Sequence, residues 1–195
     1  VAGGIPIING INESLTANKI NKLYGIVNGT TNYILSKMEL ENLGFDEALK
    51  QAQEKGYAEA DPTSDIEGYD AQYKLAILSS LAFGTKINVD DVYREGITKI
   101  KPIDMKYASE FGMKIKLLAI GKENDGELEL RVHPTMIPQT HPLANVYDSF
   151  NAVFINGNAV GDLMFYGRGA GDLPTGSAVV SDIISILRSD IDIEN

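Results

Sequence analysis

Three absences narrow the functions open to this chain of 195 residues. It has no cysteine, which excludes disulfides, thiol nucleophiles and thiolate metal ligands and suits a reducing compartment, so we expect a cytoplasmic protein. Its 17 basic side chains are outnumbered by 27 acidic ones, whereas nucleic acids and anionic membranes are bound through basic surfaces. No apolar run reaches the roughly 20 residues of a membrane-spanning helix. We therefore expect a small-molecule partner, with no nucleic acid and no membrane.

The composition is that of one ordinary globular domain. Hydrophobic residues make up 44% of the chain and charged residues 23%, which is enough apolar material to bury a core. Helical patterns are concentrated in the first half of the chain and strand pairs in the second. This arrangement indicates an α+β fold with a largely antiparallel mixed sheet and helices packed on one face. We treat residues 1–195 as one domain.

The patterns also predict individual elements. The apolar, β-branched run Ile5–Ile11 predicts a buried strand, and a short helix is predicted over Leu15–Asn21. One continuous helix is predicted from about Ile66 to Phe83, and a short one over Asp91–Ile97. Further predictions are a strand at Leu23–Val27 and helices after Gly29 and at Phe45–Glu54, Ile103–Phe111 and Ala178–Leu187. Two hairpins are also predicted: the first pairs Met113–Lys122 with Leu128–Met136, and the second pairs Val153–Asn156 with Val160–Tyr166.

The segment Gly56–Lys74 concentrates charge immediately before the apolar run LAILSSLAFG. Asp70 and Lys74 lie four residues apart, so they share one face of a helix. One interpretation is an exposed ion pair, worth roughly a few tenths of a kcal/mol. The other is a lysine at the edge of a buried helix, which needs a carboxylate partner. Burial lowers the pKa of a lysine and suits it to transfer a proton in carbonyl chemistry.

Three further carboxylates, Glu59, Asp61 and Asp65, lie in the loop before that helix. Read structurally, Asp65 caps the helix and the others are solvated turn residues. Read functionally, Glu59 binds an ammonium group; the spacing of the three does not match a calcium-binding loop. The run GRGAGD at Gly167–Asp172 is a poor dinucleotide fingerprint, because its third glycine comes one position early. We interpret this run as a loop whose backbone approaches a ligand.

Four blocks of the sequence together resemble the homoserine dehydrogenase family. They are GIVNGTTNYIL, GYAEADPTSDIEGYDAQYKLAIL, THPLANV and YGRGAGDLPTGSAVVSDI, in the family's order. The resemblance is to the catalytic, dimer-forming domain, and it implies a nucleotide-binding Rossmann domain before Val1. It also implies NAD(P)-dependent interconversion of aspartate semialdehyde and homoserine, in threonine, methionine and isoleucine biosynthesis, by a homodimer.

The same resemblance implies roles for four side chains of the charged segment. Lys74 matches the family's proton-donating lysine, which protonates the aldehyde oxygen as hydride reaches the carbon. Glu59 and Asp70 match the substrate-binding carboxylates. Asp65 matches an acidic position that lines the same pocket.

Backbone positions are implied to hold the cofactor and a metal ion. Gly56 and Gly171 match positions near the nicotinamide end of NADP or NAD. The opening VAGGI resembles a monovalent-cation loop, in which the carbonyl groups of Val1, Gly3 and Ile5 would hold Na+.

Two other interpretations stay open beside this one. The first is a non-catalytic dimerisation or regulatory module derived from the same fold, although such a module has no reason to keep Glu59, Asp70 and Lys74 together. The second is another two-domain dehydrogenase with a similar substrate-binding half. Because the chain opens on Val1, we expect it to be a piece of a longer protein and to be inactive alone.

Overall fold

Six strands and seven α-helices form over residues 1–191, the part of the chain that the computed structural model describes. The helices are α1 (Ile7–Asn9), α2 (Gly29–Glu41), α3 (Phe45–Glu54), α4 (Thr63–Ile66), α5 (Tyr69–Ala82), α6 (Pro102–Glu110) and α7 (Asp172–Ile191). The strands are β1 (Ile20–Ile26), β2 (Tyr93–Arg94), β3 (Met113–Asn124), β4 (Glu127–Pro138), β5 (Phe150–Gly157) and β6 (Gly161–Arg168).

All six strands belong to one mixed sheet, in the order β2-β4-β3-β1-β5-β6. Only the pairing of β2 with β4 is parallel; the other neighbours are antiparallel. Strand β1 pairs with β3 on one side and β5 on the other, although both come much later in the chain. The predicted α+β class with a largely antiparallel sheet is therefore confirmed.

Helices cover one face of this sheet. Apolar side chains of α2, α3, α5 and α6 pack on inward-facing residues of the strands, with Ile34, Leu35, Met38, Ala48, Ala52, Leu75, Leu78 and Met105 among the buried ones. The opposite face carries a smaller cluster beneath the 3-10 turn Pro142–Asn145, whose Leu143 and Ala144 are fully buried. The main core thus lies between the helices and the sheet, as the helical and strand patterns indicate.

Elements with strong local signals form where the sequence predicts them. Helix α3 has the predicted bounds, and Pro102 is the first residue of α6. Both predicted hairpins are present, as β3–β4 and β5–β6. In the first, Asn124 pairs with Glu127 across a two-residue loop, as the turn signal predicts.

The predictions for the first 21 residues are wrong. Ile5–Ile11 is no strand: it forms α1 and a π-helical turn at Gly10–Ser14, which bury Ile7 and Ile11 in the core. The helix predicted over Leu15–Asn21 is replaced by the start of β1. A short apolar run does not distinguish a buried helical turn from a buried strand, and the partners of β1 are remote in sequence.

Two other elements differ because of contacts between distant segments. The helix predicted from Ile66 to Phe83 is interrupted at Gly68, whose φ of +82° is a left-handed conformation that suits glycine. The interruption separates α4 from α5 and changes their direction. No helix forms at Asp91–Ile97, since Tyr93 and Arg94 pair with β4 as β2.

Lys116 on β3 is a charged residue whose side chain lies in the interior of the protein. Its side chain is fully buried on the face opposite the helices, where Nζ donates to the Val146 carbonyl at 2.7 Å and lies 4.4 Å from the centre of the Tyr147 ring. Burial lowers the pKa of Lys116 to about 8. Lys114 bonds to the Tyr147 hydroxyl, which donates to Glu39 at 3.1 Å. These contacts attach the Val146–Phe150 loop to the sheet and to α2.

Helix α7 differs from the others in being mostly exposed from Asp172 to Ser189. Several of its large apolar side chains are half exposed or more, namely Leu173, Val179, Val180, Ile183 and Leu187. Over residues 1–191, none of the helices combines the length and hydrophobicity needed to cross a membrane.

The contact between Gly96 and the end of α4 yields a stability prediction. A Cβ atom at Gly96 would lie 2.3 Å from the Ile66 carbonyl oxygen and 2.6 Å from Glu67 Cα, which are backbone atoms. We expect Gly96→Ala to lower the free energy of unfolding by about 1–3 kcal/mol. Chemical denaturation measures this, with Gly44→Ala as control because a Cβ there meets nothing within 4 Å. Equal stability of the two variants would contradict the close packing.

The buried Lys116 ammonium yields a second prediction, on pH. Its pKa of about 8 in the folded chain lies below the 10.5 of an unperturbed lysine, so between these values the unfolded chain binds more protons and stability rises with pH. Relative to Lys116→Met, the free energy of unfolding of the native chain should therefore rise by up to roughly 3 kcal/mol across that window. Urea unfolding of both proteins at a series of pH values measures the difference. Parallel pH curves would refute it.

Candidate active site

A cleft of about 410 Å³ opens beside the amino-terminal end of α2. Its walls come from four parts of the chain that the sheet brings together. These parts are the β1–α2 junction, the turn after α3, helices α4 and α5, and the segments at the ends of β5 and β6. The residues that line the cleft are Asn28, Gly29, Thr30, Lys55, Gly56, Tyr57, Asp65, Asp70, Lys74, Ser149, Asn151, Arg168, Gly169, Ala170 and Gly171.

Lys74 is held at the cleft by two hydrogen bonds. Nζ lies 2.7 Å from Asp70 Oδ2 and donates to the Val27 carbonyl at 3.0 Å. Because an ammonium group has three protons, one remains for a ligand in the cleft. The Lys74 side chain is 25% exposed, so it is less buried than the apolar run after it suggests. The Asp70–Lys74 pair predicted from the sequence is thus present, and it lies in a cleft.

Asp65 and Asp70 converge on one amide. The side-chain nitrogen of Asn28 donates to Asp65 Oδ1 at 2.6 Å and to Asp70 Oδ2 at 2.9 Å. The break at Gly68 makes this possible, because it brings the carboxylate of α4 back alongside that of α5. The cleft therefore has one wall with two adjacent carboxylates and a lysine.

The opposite wall is formed by the ends of β5 and β6. Asn151 is buried, and its Oδ1 has no hydrogen-bond partner among residues 1–191. Its amide lies against Gly169, where an added Cβ would come within 2.0 Å of the Asn151 nitrogen. The Arg168 guanidinium lies 5.1 Å from the centre of the Phe150 ring. This wall supplies amide and cationic groups opposite the carboxylates.

The turn after α3 is attached to the start of α2. The Thr30 hydroxyl donates to the Tyr57 carbonyl at 2.6 Å, and the Tyr33 and Tyr57 rings lie 5.0 Å apart. Gly56 follows the C-cap of α3 with a φ of +72°, and a Cβ built there would meet no atom within 4 Å. Gly56 therefore presents bare backbone at the open side of the cleft.

Of the residues proposed from the sequence for substrate and cofactor, five line this cleft: Gly56, Asp65, Asp70, Lys74 and Gly171. Glu59 is not among the lining residues. It is exposed in the loop beyond Tyr57, and its backbone carbonyl accepts from Gln53 at 3.1 Å.

The predicted cation loop lies beside the end of β6. Gly4 N donates to the Arg168 carbonyl at 3.1 Å, and Gly3 packs against Gly169. The Ile5 carbonyl accepts from Ile7 N at 2.8 Å, which leaves one of its lone pairs. Those of Val1 and Gly3 accept no backbone hydrogen bond from the described residues, so each of the three oxygens retains a lone pair of the kind that binds a hard cation. No cluster of three histidine or carboxylate side chains suited to a metal ion occurs in residues 1–191.

Sequence reasoning missed the cleft residues that carry amide and hydroxyl groups. Asn28 and Thr30 lie in the NGTT run, to which the sequence assigns no individual side-chain role, and no motif marks Ser149 and Asn151; Arg168 belongs to the GRGAGD run that the sequence indicates as a ligand-approaching loop. Their roles depend on the pairing of β1 with β5 and of β5 with β6. A local pattern does not report such pairings.

A paired lysine and carboxylate line a polar cleft at the end of the central strand β1, and comparisons with known proteins specify the class of protein. The family model for homoserine dehydrogenase matches residues 6–184. Homoserine dehydrogenase from Neisseria gonorrhoeae is 54% identical over 188 residues, which is 96% of this chain and 43% of that protein. The enzyme from Synechocystis is 53% identical over 191 residues, 96% of this chain and 44% of that protein.

Solved structures agree with the sequence comparisons. A homoserine dehydrogenase from Thiobacillus denitrificans superposes with a TM-score of 0.95 at 52% identity, covering 98% of this chain and 44% of that one. A hyperthermophilic archaeal homoserine dehydrogenase mutant in complex with NADPH gives a TM-score of 0.79 at 32% identity, covering 94% of this chain and 52% of that one. This chain belongs to the homoserine dehydrogenase family. It spans less than half the length of the curated relatives it matches.

Proposed function

We propose that the chain is the substrate-binding and catalytic domain of an NAD(P)-dependent homoserine dehydrogenase. The reaction interconverts L-aspartate 4-semialdehyde and L-homoserine. The observation that carries the proposal is the Asp70–Lys74 pair, with 2.7 Å between its charged atoms, inside a cleft of the size of a small ligand. Family membership supports it, because the matched relatives are homoserine dehydrogenases.

Lys74 is the proton donor in this proposal. In the reducing direction a hydride adds to the aldehyde carbon, the C=O bond becomes C–O, and the oxygen takes one proton to become the hydroxyl of homoserine. The nicotinamide cofactor, when bound, supplies the hydride. Lys74 gives its remaining proton to that oxygen, while the Val27 carbonyl and Asp70 fix the direction of the ammonium group. In the reverse direction Lys74 accepts the proton.

Carboxylates hold the amino-acid part of the substrate. The α-ammonium group of homoserine needs negative charge, which Asp70 and Asp65 supply in the cleft and Glu59 supplies from the neighbouring loop. Gly56 and Gly171 would lie against the nicotinamide end of the cofactor; both line the cleft, and neither has a side chain that would block access to the substrate. The complex of a 32% identical relative with NADPH supports NADP or NAD as the cofactor.

The cation, the assembly and the pathway are further parts of the proposal. The carbonyl groups of Val1, Gly3 and Ile5 would hold Na+ and brace the segment beside Arg168. The protein would be a cytoplasmic homodimer that works in threonine, methionine and isoleucine biosynthesis. Stacked aromatic rings on the sheet face opposite the helices, Tyr24 with Phe154 and Phe150 with Tyr166, support an apolar contact with a second copy.

Activity measurements test the proposal as a whole. We expect the full-length protein to oxidise NADPH when aspartate semialdehyde is added. We expect this chain alone to show little or no turnover, because it matches only 43% of the length of the enzyme from Neisseria gonorrhoeae. The chain alone should still bind homoserine in calorimetry. Absence of activity in the full-length protein would contradict the proposed function, and near-normal turnover by the chain alone would contradict its dependence on further sequence.

Substitution of Lys74 tests its role. In the full-length protein, Lys74→Met should lower kcat by about 10²–10⁴-fold with a much smaller change in KM, because the lost group acts on the transition state. The control is Lys50→Met on α3, since Lys50 and Glu54 are also four residues apart and form an exposed pair at 3.9 Å. An unchanged kcat in Lys74→Met would contradict the role of Lys74 as the proton donor.

A further inference from the structure

The side chain of Asn28 forms hydrogen bonds with two carboxylates of the cleft and with the first turn of α2. It is the N-cap of α2 and is 5% exposed. Its side-chain oxygen accepts from the backbone nitrogen and from the hydroxyl of Thr31, both at 2.9 Å. Its side-chain nitrogen donates to Asp65 and Asp70. The oxygen therefore caps the helix, and the nitrogen bridges two carboxylates.

The bridging amide of Asn28 lies between two carboxylates that repel each other. Two carboxylates within hydrogen-bond distance of one nitrogen repel each other, and such a pair tends to retain a shared proton. Lys74 compensates Asp70 alone, and within residues 1–191 the Asp65 carboxylate has no hydrogen-bond partner other than Asn28. An amide offers two N–H donors and no charge, so one side chain bridges both carboxylates without neutralising either.

The same short segment also holds the proton donor. The carbonyl that accepts from Lys74 belongs to Val27, the residue before Asn28. Two consecutive residues at the end of β1 therefore contact all three charged groups on this wall. The other charged or titratable side chains that line the cleft are Lys55, Tyr57 and Arg168.

We propose that Asn28 is a positioning residue whose side-chain NH₂ group holds the Asp65 and Asp70 carboxylates side by side, so that together they receive the ammonium group of the substrate. This inference rests on the proposed function for the identity of the substrate. The bridging itself is a property of the cleft and can be measured without turnover.

Two substitutions separate bridging from capping. Asn28→Asp and Asn28→Ser both retain an oxygen that caps α2, and Asn, Asp and Ser are comparable N-caps. Neither retains the N–H donors. Asn28→Asp places a third carboxylate against the first two, so one of the three takes up a proton more readily, whereas Asn28→Ser leaves the pair unbridged without adding charge.

The first experiment is a titration that needs no activity. Aspartate carboxyl carbons labelled with ¹³C are followed by NMR against pH in the full-length native protein and both variants. In Asn28→Asp we expect the midpoint of one carboxyl in the cleft to move upward by about one pH unit or more. The control is Asn88→Asp, the same change at the cap of the 3-10 turn Val89–Asp91, where the side-chain oxygen accepts from Asp90 N. Unchanged midpoints for the cleft carboxyls in Asn28→Asp would overturn the inference.

The second experiment is kinetic and uses the same proteins. In Asn28→Ser, KM for homoserine should rise about tenfold with a smaller change in kcat, and in Asn28→Asp the acidic limb of kcat/KM should move to higher pH. The double variant Asn28→Asp with Asp65→Asn restores one amide and two carboxylates and should return that limb toward the native position. Native kinetics in both single variants, with intact folding by circular dichroism, would overturn the inference.

The two proposals fail in different ways. If the native full-length protein does not turn over the semialdehyde, the proposed function fails, and the NMR titration still decides whether Asn28 holds the carboxylates. If the native protein is active and the cleft carboxyls titrate alike in native and variant proteins, only the role of Asn28 fails.

Discussion

One ammonium group determines how the cleft is organised. Lys74 donates both to a carbonyl at the end of β1 and to a carboxylate on its own helix, so it joins the central strand of the sheet to α5. A charge in a partly buried position is retained only when such partners compensate its lost hydration. These bonds tie the β1–α2 junction to the acidic helix, and the cleft lies where the two meet.

The acidic wall depends in turn on a break in the helix. With Gly68 in a left-handed conformation, α4 and α5 do not continue one another, and Asp65 returns to the side of Asp70. The break is supported from the edge of the sheet, where Arg94 donates to the Glu67 carbonyl at 2.5 Å and its guanidinium lies 3.6 Å from the centre of the Tyr69 ring. The short parallel strand β2 thus contributes to the site without touching it.

The opposite wall depends on a second lysine, Lys116, which is fully buried. Lys116 is desolvated, yet its bond to the Val146 carbonyl attaches the loop before β5 to the sheet. Asn32 adds bonds from its amide to the carbonyls of Val146, Asp148 and Phe150. This loop leads to Ser149 and Asn151 in the cleft. Buried polar groups with fixed partners therefore hold both walls, which suits a site that must present charge in a defined direction.

The sequence by itself determined the fold class, the hairpins, α3, α6 and the Asp70–Lys74 pair, because turn residues, caps and helical spacing act over a few positions. Its motifs also indicated the family. Tertiary structure alone decided that residues 5–11 turn rather than extend, that β1 is central and that a helix breaks at Gly68. It also decided that Asn28 meets two carboxylates and that Lys116 is buried. Each of these follows from contacts between residues remote in sequence, whose free energy appears only when the sheet is assembled.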